Sequence, residues 1–189
     1  MRRCSLIRFR RKFTTMIKNT ILFAAALLSI GLLLSSVSAQ VKVKDKELKN
    51  LVGNWQGELE YLDYQNDKSK TRLKLRSFNT FKDGKFSQEI VYIEPNGKEV
   101  KSGGSFVLSP DGRQIVEEKM KWTITKNFFD KRAKTRTIVY ETKWKDNDRN
   151  ADLRETMIIG ENEFSVTKEV RYENTTDFFV RNTHRYNRK

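Results

Sequence analysis

Chemistry has few places to reside in this chain. There is one histidine, His184, and one cysteine, Cys4. No Ser-His-Asp or Cys-His set, no phosphate-binding glycine loop and no Cys, His or carboxylate cluster at zinc or iron spacing can be drawn from the residues. An enzyme is therefore the least supported class, and no catalytic residue and no metal site are assigned. Glu155 and Lys168 are more informative. If the chain turns at Gly160-Glu161, both fall on the inward face of one hairpin as diagonal neighbours. Inside a cavity such a carboxylate and ammonium would hold each other charged and orient a polar head group; at a wet barrel end they would be ordinary solvated side chains. His184 shares a strand face with Phe178, Val180, Asn182 and Tyr186 and is expected to point inward. As a lone histidine it can equally serve only as a hydrogen-bonding residue.

Two further groups have a recognition chemistry to weigh. Lys68, Lys70, Arg72, Lys74 and Arg76 make a cationic stripe at strand spacing, the pattern that neutralises successive phosphates. Glu58 and Glu60 lie across the expected hairpin, so the stripe reads as a solvated outer face and no nucleic-acid partner is expected. Phe128 and Phe129 sit among cations in Lys126–Lys134, the one long connection in the pattern. That segment reads as a portal loop at the open end of a barrel, as a membrane-surface contact or as a cap on the core.

The elements that must position these residues are strands. Asp83-Gly84, Pro95-Asn96-Gly97, Pro110-Asp111-Gly112, Asp146–Arg149, Gly160-Glu161 and Glu173–Thr176 punctuate runs of strand length rich in β-branched and aromatic residues. The fold class expected is all-β: an antiparallel up-and-down meander of about 8–10 strands closing into a barrel, preceded by a signal helix. A turn near Asn66 pairs Leu59 with Leu73 inside, and Glu60 with Arg72 and Glu58 with Lys74 outside. A two-residue turn at Gly160-Glu161 pairs Met157 with Phe164 and Glu155 with Val166. Trp55, Tyr61, Phe86, Ile90, Tyr92, Trp122, Tyr140 and Trp144 then face inward, lining a cavity or filling the barrel solid.

Residues 1–39 carry seven of the 38 Lys and Arg and none of the 24 Asp and Glu, followed by the apolar run Ile21–Leu34 and Val37-Ser38-Ala39. This is the order of a cleavable signal peptide, with Met16 as an alternative start. The apolar run is shorter than the ~20 residues of a membrane span, so residues 40–189 are expected as a soluble periplasmic or extracellular domain without disulfides. Residues 40–49 read as a peripheral lead-in and 50–189 as the barrel. Removing the leader lowers the net charge from +14 to +7.

Gly53-Asn54-Trp55-Gln56-Gly57-Glu58 on the first strand, with a meander of this length, resembles the opening of calycin barrels: lipocalins, avidins, fatty-acid-binding proteins and nitrobindin-like proteins. The chain is also similar to small exported bacterial barrels. The resemblance implies that Gly53, Trp55 and Gly57 close one end of the barrel, with a late basic residue, Arg181 or Arg185, over the tryptophan. In nitrobindin-like barrels a histidine near the chain end ligates haem, so the resemblance makes His184 an axial ligand, the only cofactor to consider. The leading expectation is an exported binding protein for a small, largely apolar or amphiphilic ligand. Its cavity candidates are Trp55, Tyr61, Trp122, Tyr140, Trp144, Glu155, Lys168 and His184. A haem protein using His184 and a cell-envelope interaction module with a filled core are the alternatives, and oligomeric state stays open.

Overall fold

A computed structural model describes residues 41–64 and 68–189; the proposed signal peptide lies outside the described residues. Ten antiparallel strands follow in chain order: β1 (Gly53–Leu62), β2 (Lys70–Lys82), β3 (Lys85–Ile93), β4 (Glu99–Leu108), β5 (Gln114–Glu117), β6 (Met120–Asp130), β7 (Thr135–Asp146), β8 (Arg149–Ile159), β9 (Glu163–Tyr172) and β10 (Phe179–Arg188). Each pairs with its sequence neighbours, and β1 pairs with β10, so the meander closes into a barrel and leaves no free sheet edge. Alternation sends Trp55, Leu75, Phe86, Ile90, Trp122, Ile138, Tyr140, Leu153, Met157, Phe164, Val170 and Tyr186 into the core.

The first hairpin has the register read from the sequence, Leu59 opposite Leu73 and Glu60 opposite Arg72. Glu60 binds Lys70 and Arg72 on the outer face, and Arg76 pairs with Glu99, so the cationic stripe is a salt-bridged exterior. The β8–β9 hairpin differs from its expected register by two residues. Ile159 faces Phe164, Met157 faces Val166 and Glu155 faces Lys168 directly. The Gly160 N–H bonds to the Glu163 carbonyl, so the tight turn is centred on Glu161-Asn162, one residue later than expected. A slip of two preserves the period of the pleat, so every inward residue remains inward.

Three expectations are corrected. Residues 41–52 are not peripheral: two short 3-10 turns, Asp45–Glu47 and Lys49–Leu51, press Val43, Leu48 and Leu51 into the end of the barrel, each no more than 2% exposed. The Glu47 carboxylate fastens this plug by accepting from Lys44 N–H and Asn127 Nδ2 and pairing with Arg136. Most of Lys126–Lys134 is strand, only Lys131–Lys134 forming the turn. Strand directions place that turn at the same end as Trp55, so it is not the open mouth, and Phe128 and Phe129 are half exposed there. Finally, β10 has a bulge between Val180 and Asn182, which turns Val180 outward and lets Arg181 point in. Phe178 lies outside as well, against Arg154 and Arg171.

Candidate functional site

The closed end is built around Gly53, Trp55 and Gly57 of the Gly53–Glu58 hexad. Gly53 has φ +126°, a value side chains rarely adopt, and stands against the Arg188 guanidinium. A Cβ on Gly57 would collide with the Arg185 carbonyl oxygen, because β1 and β10 approach closely where the barrel closes. Trp55 is 1% exposed, donates Nε1–H to the Leu51 carbonyl at 2.9 Å and meets Phe164 edge-on. The basic residue over its ring is Arg188, 4.3 Å from the centroid, in place of Arg181 or Arg185. The register gives the reason: Arg188 is the cross-strand partner of Trp55 and shares its face, whereas Arg185 points outward to Glu58.

Arg181 does different work at the opposite end. It is fully buried, 3.0 Å from Asp146, with its guanidinium also donating to Tyr172 Oη. Lys168 Nζ reaches the same aspartate at 2.8 Å. Burial alone would raise the Asp146 carboxyl, but Lys168, Arg181 and the Tyr172 hydroxyl outweigh it and hold it below its ordinary value. Lys168 is thus the cross-strand neighbour of Glu155, while its ammonium is spent on Asp146. The expected Glu155–Lys168 pair does not form.

Above the plug lies a partly open cavity of about 310 Å³, walled by Leu51, Phe86, Phe106, Met120, Met157, Phe164 and Val166, with Gln88, Ser105, Glu117, Glu118, Tyr140 and Glu155 as its polar groups. Tyr140 Oη donates to Glu155 Oε2 at 2.8 Å. Burial, supported by the nearby Glu117 carboxylate, pushes the Glu155 carboxyl from 4.5 to about 7, against the weaker pull of Tyr140 and Lys168. Burial and Glu155 together push the Tyr140 hydroxyl far up. Glu117 is also raised by burial, while it accepts from Trp122 Nε1 at 3.2 Å. The cavity reaches the surface where the wall is thinnest, since β4 and β5 share two residue pairs, Val107 with Val116 and Leu108 with Ile115.

A second pocket, about 360 Å³, occupies the mouth remote from Trp55 and is lined by Leu59, Tyr61, Tyr64, Leu73, Tyr92, Val100, Asn182 and His184. His184 Nε2 is 2.9 Å from Tyr92 Oη, and burial lowers the imidazole from 6.5 to about 4, so the ring is neutral at neutral pH. The sequence-derived candidates therefore divide. Tyr140 and Glu155 line the inner cavity; Tyr61 and His184 line the mouth. Trp55 and Trp122 are packed core residues, the latter edge-on to Tyr140. Trp144 is 48% exposed, because the β6–β7 ladder ends at Thr123–Glu141 and leaves it on an overhang of β7. Tyr92, expected to face inward, lines the mouth beside His184, while no motif in the sequence points to a role for Glu117, Asp146 or Arg188.

The barrel has counterparts among solved structures, and one of them illustrates the likeness. It is Rv2717c from M. tuberculosis, similar with a TM-score of 0.53 at 10% identity over 76% of this chain and 96% of that one. At that identity the likeness extends to the fold alone. No family model matches the chain, and no curated protein matches it either.

Proposed function

We propose that this chain is an exported binding protein whose barrel holds one small amphiphilic ligand in the inner cavity. The observation that carries the reading is the cavity itself: apolar walls from five strands meet one part-buried polar pair, Tyr140–Glu155, the lining typical of a ligand site. Its volume of about 310 Å³ has room for about ten non-hydrogen atoms at the ~30 Å³ each water takes in the liquid. The Glu155 carboxyl, protonated near neutrality, supplies a donor as well as an acceptor toward a polar head. Binding rather than turnover is proposed, because no Ser-His or Cys-His pair lines the cavity among the described residues. Calorimetry of the full chain with phenethyl alcohol tests this: saturable one-to-one uptake is expected, and its absence together with absence of uptake of related amphiphiles would remove the reading.

His184 supports a second reading, a haem site at the mouth. The residues fit the group in chemistry, since a neutral imidazole stands beside the apolar side chains of Leu59, Leu73 and Val100. His184 would hold the iron, and haem there would supply a redox-active metal. Tyr92, now bonded to Nε2, would have to release it. A Soret band on reconstitution that disappears in His184→Ala would support this reading; no band in either protein would end it.

A further inference from the structure

The inner cavity is acidic in a basic protein. The chain has a formal net charge of +14, yet the only ionisable side chains lining the cavity besides Tyr140 are Glu117, Glu118 and Glu155. Glu155 comes from β8 and Glu117 from β5, with β6 and β7 between them, so carboxyls reach the space from two separate strands. Neither is ion-paired. The cation nearest to Glu155 in the ladder, Lys168, is drawn to Asp146 at 2.8 Å, and the contact made by Glu117 is with the neutral Trp122 indole. Glu155 Oε2 accepts from Tyr140, while Oε1 has no hydrogen-bond partner among the described residues.

Glu117 and Glu155 are half-buried, and the apolar wall beside each carboxyl penalises its charge unless a cation arrives or a proton stays. The alternatives for a natural barrel are plain: apolar side chains would have filled this volume at lower cost, as they do around Trp55. The slot by which the cavity meets solvent passes Gly104 and Ser105 of β4 and the Glu117-Glu118 edge, so a ligand entering there meets acid first and apolar wall behind.

We infer that the ligand is a small apolar amine, its ammonium seated between Glu155 and Glu117 and its hydrocarbon part against Phe86, Phe106, Met157 and Val166. This deepens the binding reading above and rests on it. The ammonium donates to Glu155 Oε1 and to Glu117, while Tyr140 keeps its hydroxyl on Oε2. Groups facing Glu155 are Tyr140 from β7, Lys168 with its Asp146 from β9 and β7, and Glu117 across the cavity. Because the free carboxyl is protonated in mildly acidic solution, arrival of an ammonium expels that proton to solvent.

Calorimetry on the full chain with three probes of one shape, phenethylamine, phenethyl alcohol and phenylacetate, tests the inference. The amine is expected to bind at least about tenfold more tightly than the alcohol, phenylacetate weakest. In a Glu117→Gln/Glu155→Gln double variant, isosteric and still folded by circular dichroism, the amine should fall to the level of the alcohol. At pH 6 the wild type should release close to one proton on binding amine, read from the dependence of the heat on buffer ionisation. Equal affinity for amine and alcohol, or preference for phenylacetate, would overturn the amine assignment and leave the cavity as a binding site. Uptake of none of the three would overturn both.

Discussion

Glu155→Gln should change how the stability of the barrel depends on pH, and the sign can be worked out from the cavity. In the folded chain the carboxyl titrates at about 7; in the unfolded chain it returns to its ordinary 4.5. Between those values the folded state holds a proton that the unfolded state has lost, so stability falls as pH rises. At 1.36 kcal/mol for each tenfold change in proton affinity, the displacement is worth about 3 kcal/mol. That contribution is fully present below pH 4.5 and is gone above about pH 8. His184 works in the opposite sense. Its lowered value, about 4 against 6.5, contributes stability above pH 6.5 that is lost as pH falls toward 4. The two slopes oppose each other between pH 4.5 and 6.5, so the wild-type curve alone is uninformative and the comparison must be made against the variant. Urea unfolding of both proteins from pH 4.5 to 8 gives the difference directly. Glutamine keeps an acceptor for Tyr140, so packing is preserved. The expected result is a wild type that gains about 3 kcal/mol on the variant from pH 8 to pH 4.5. A difference that stays flat over this range would mean that Glu155 is open to water or paired with Lys168, and the polar half of the cavity would be misdescribed.

The remaining predictions concern the two ends. Trp55→Ala should cost about 3–5 kcal/mol in chemical unfolding, because the ring is buried against Phe164 and Arg188 and leaves a cavity behind; a near-neutral value would deny the plug. Gly57→Ala should cost about 3 kcal/mol or more, since the new methyl meets the β10 backbone and not a flexible side chain. A change within experimental error would show that β1 and β10 are not closed as described. Asp146→Asn removes the partner of two buried cations and should cost about 3–5 kcal/mol at pH 7. Wild type should lose that advantage progressively as pH falls below 3.8, since the Asp146 carboxyl titrates below that ordinary value; a difference that does not shrink with falling pH would contradict it.

Period-two alternation was enough to place the inner face of most strands, because a residue error of two leaves the face unchanged, as in the β8–β9 hairpin. It fails wherever a residue is inserted without a sequence mark. The bulge at Arg181 has no glycine to announce it, so alternation alone puts Phe178 and Val180 on the inner face, whereas the bulge turns Val180 out and Arg181 in. The turn at Glu118-Lys119 has no glycine, proline or asparagine, and Glu118 itself adopts φ 44°. The stretch from Arg113 to Thr125 therefore reads as one strand and Glu117 is lost from the site. Signal for it did exist: Ile115 and Glu117 alternate with Trp122 and Ile124 across that turn. The strand character of Lys126–Asp130 was hidden by its charge, which looks like loop composition but belongs to a hairpin with an exposed face. The plug of Val43, Leu48 and Leu51 is masked by four interspersed lysines, Lys42, Lys44, Lys46 and Lys49, which stay exposed while the apolar neighbours pack.

The most direct test of a ligand-holding interior is to fill it. Val166→Phe adds bulk at a position lining the cavity without touching Tyr140, Glu155 or Glu117. Phenethylamine binding by calorimetry, with thermal unfolding as the control for folding, should be saturable in the wild type and lost in the variant at an equal or higher melting temperature. Equal binding in both proteins would place the ligand elsewhere and contradict the account.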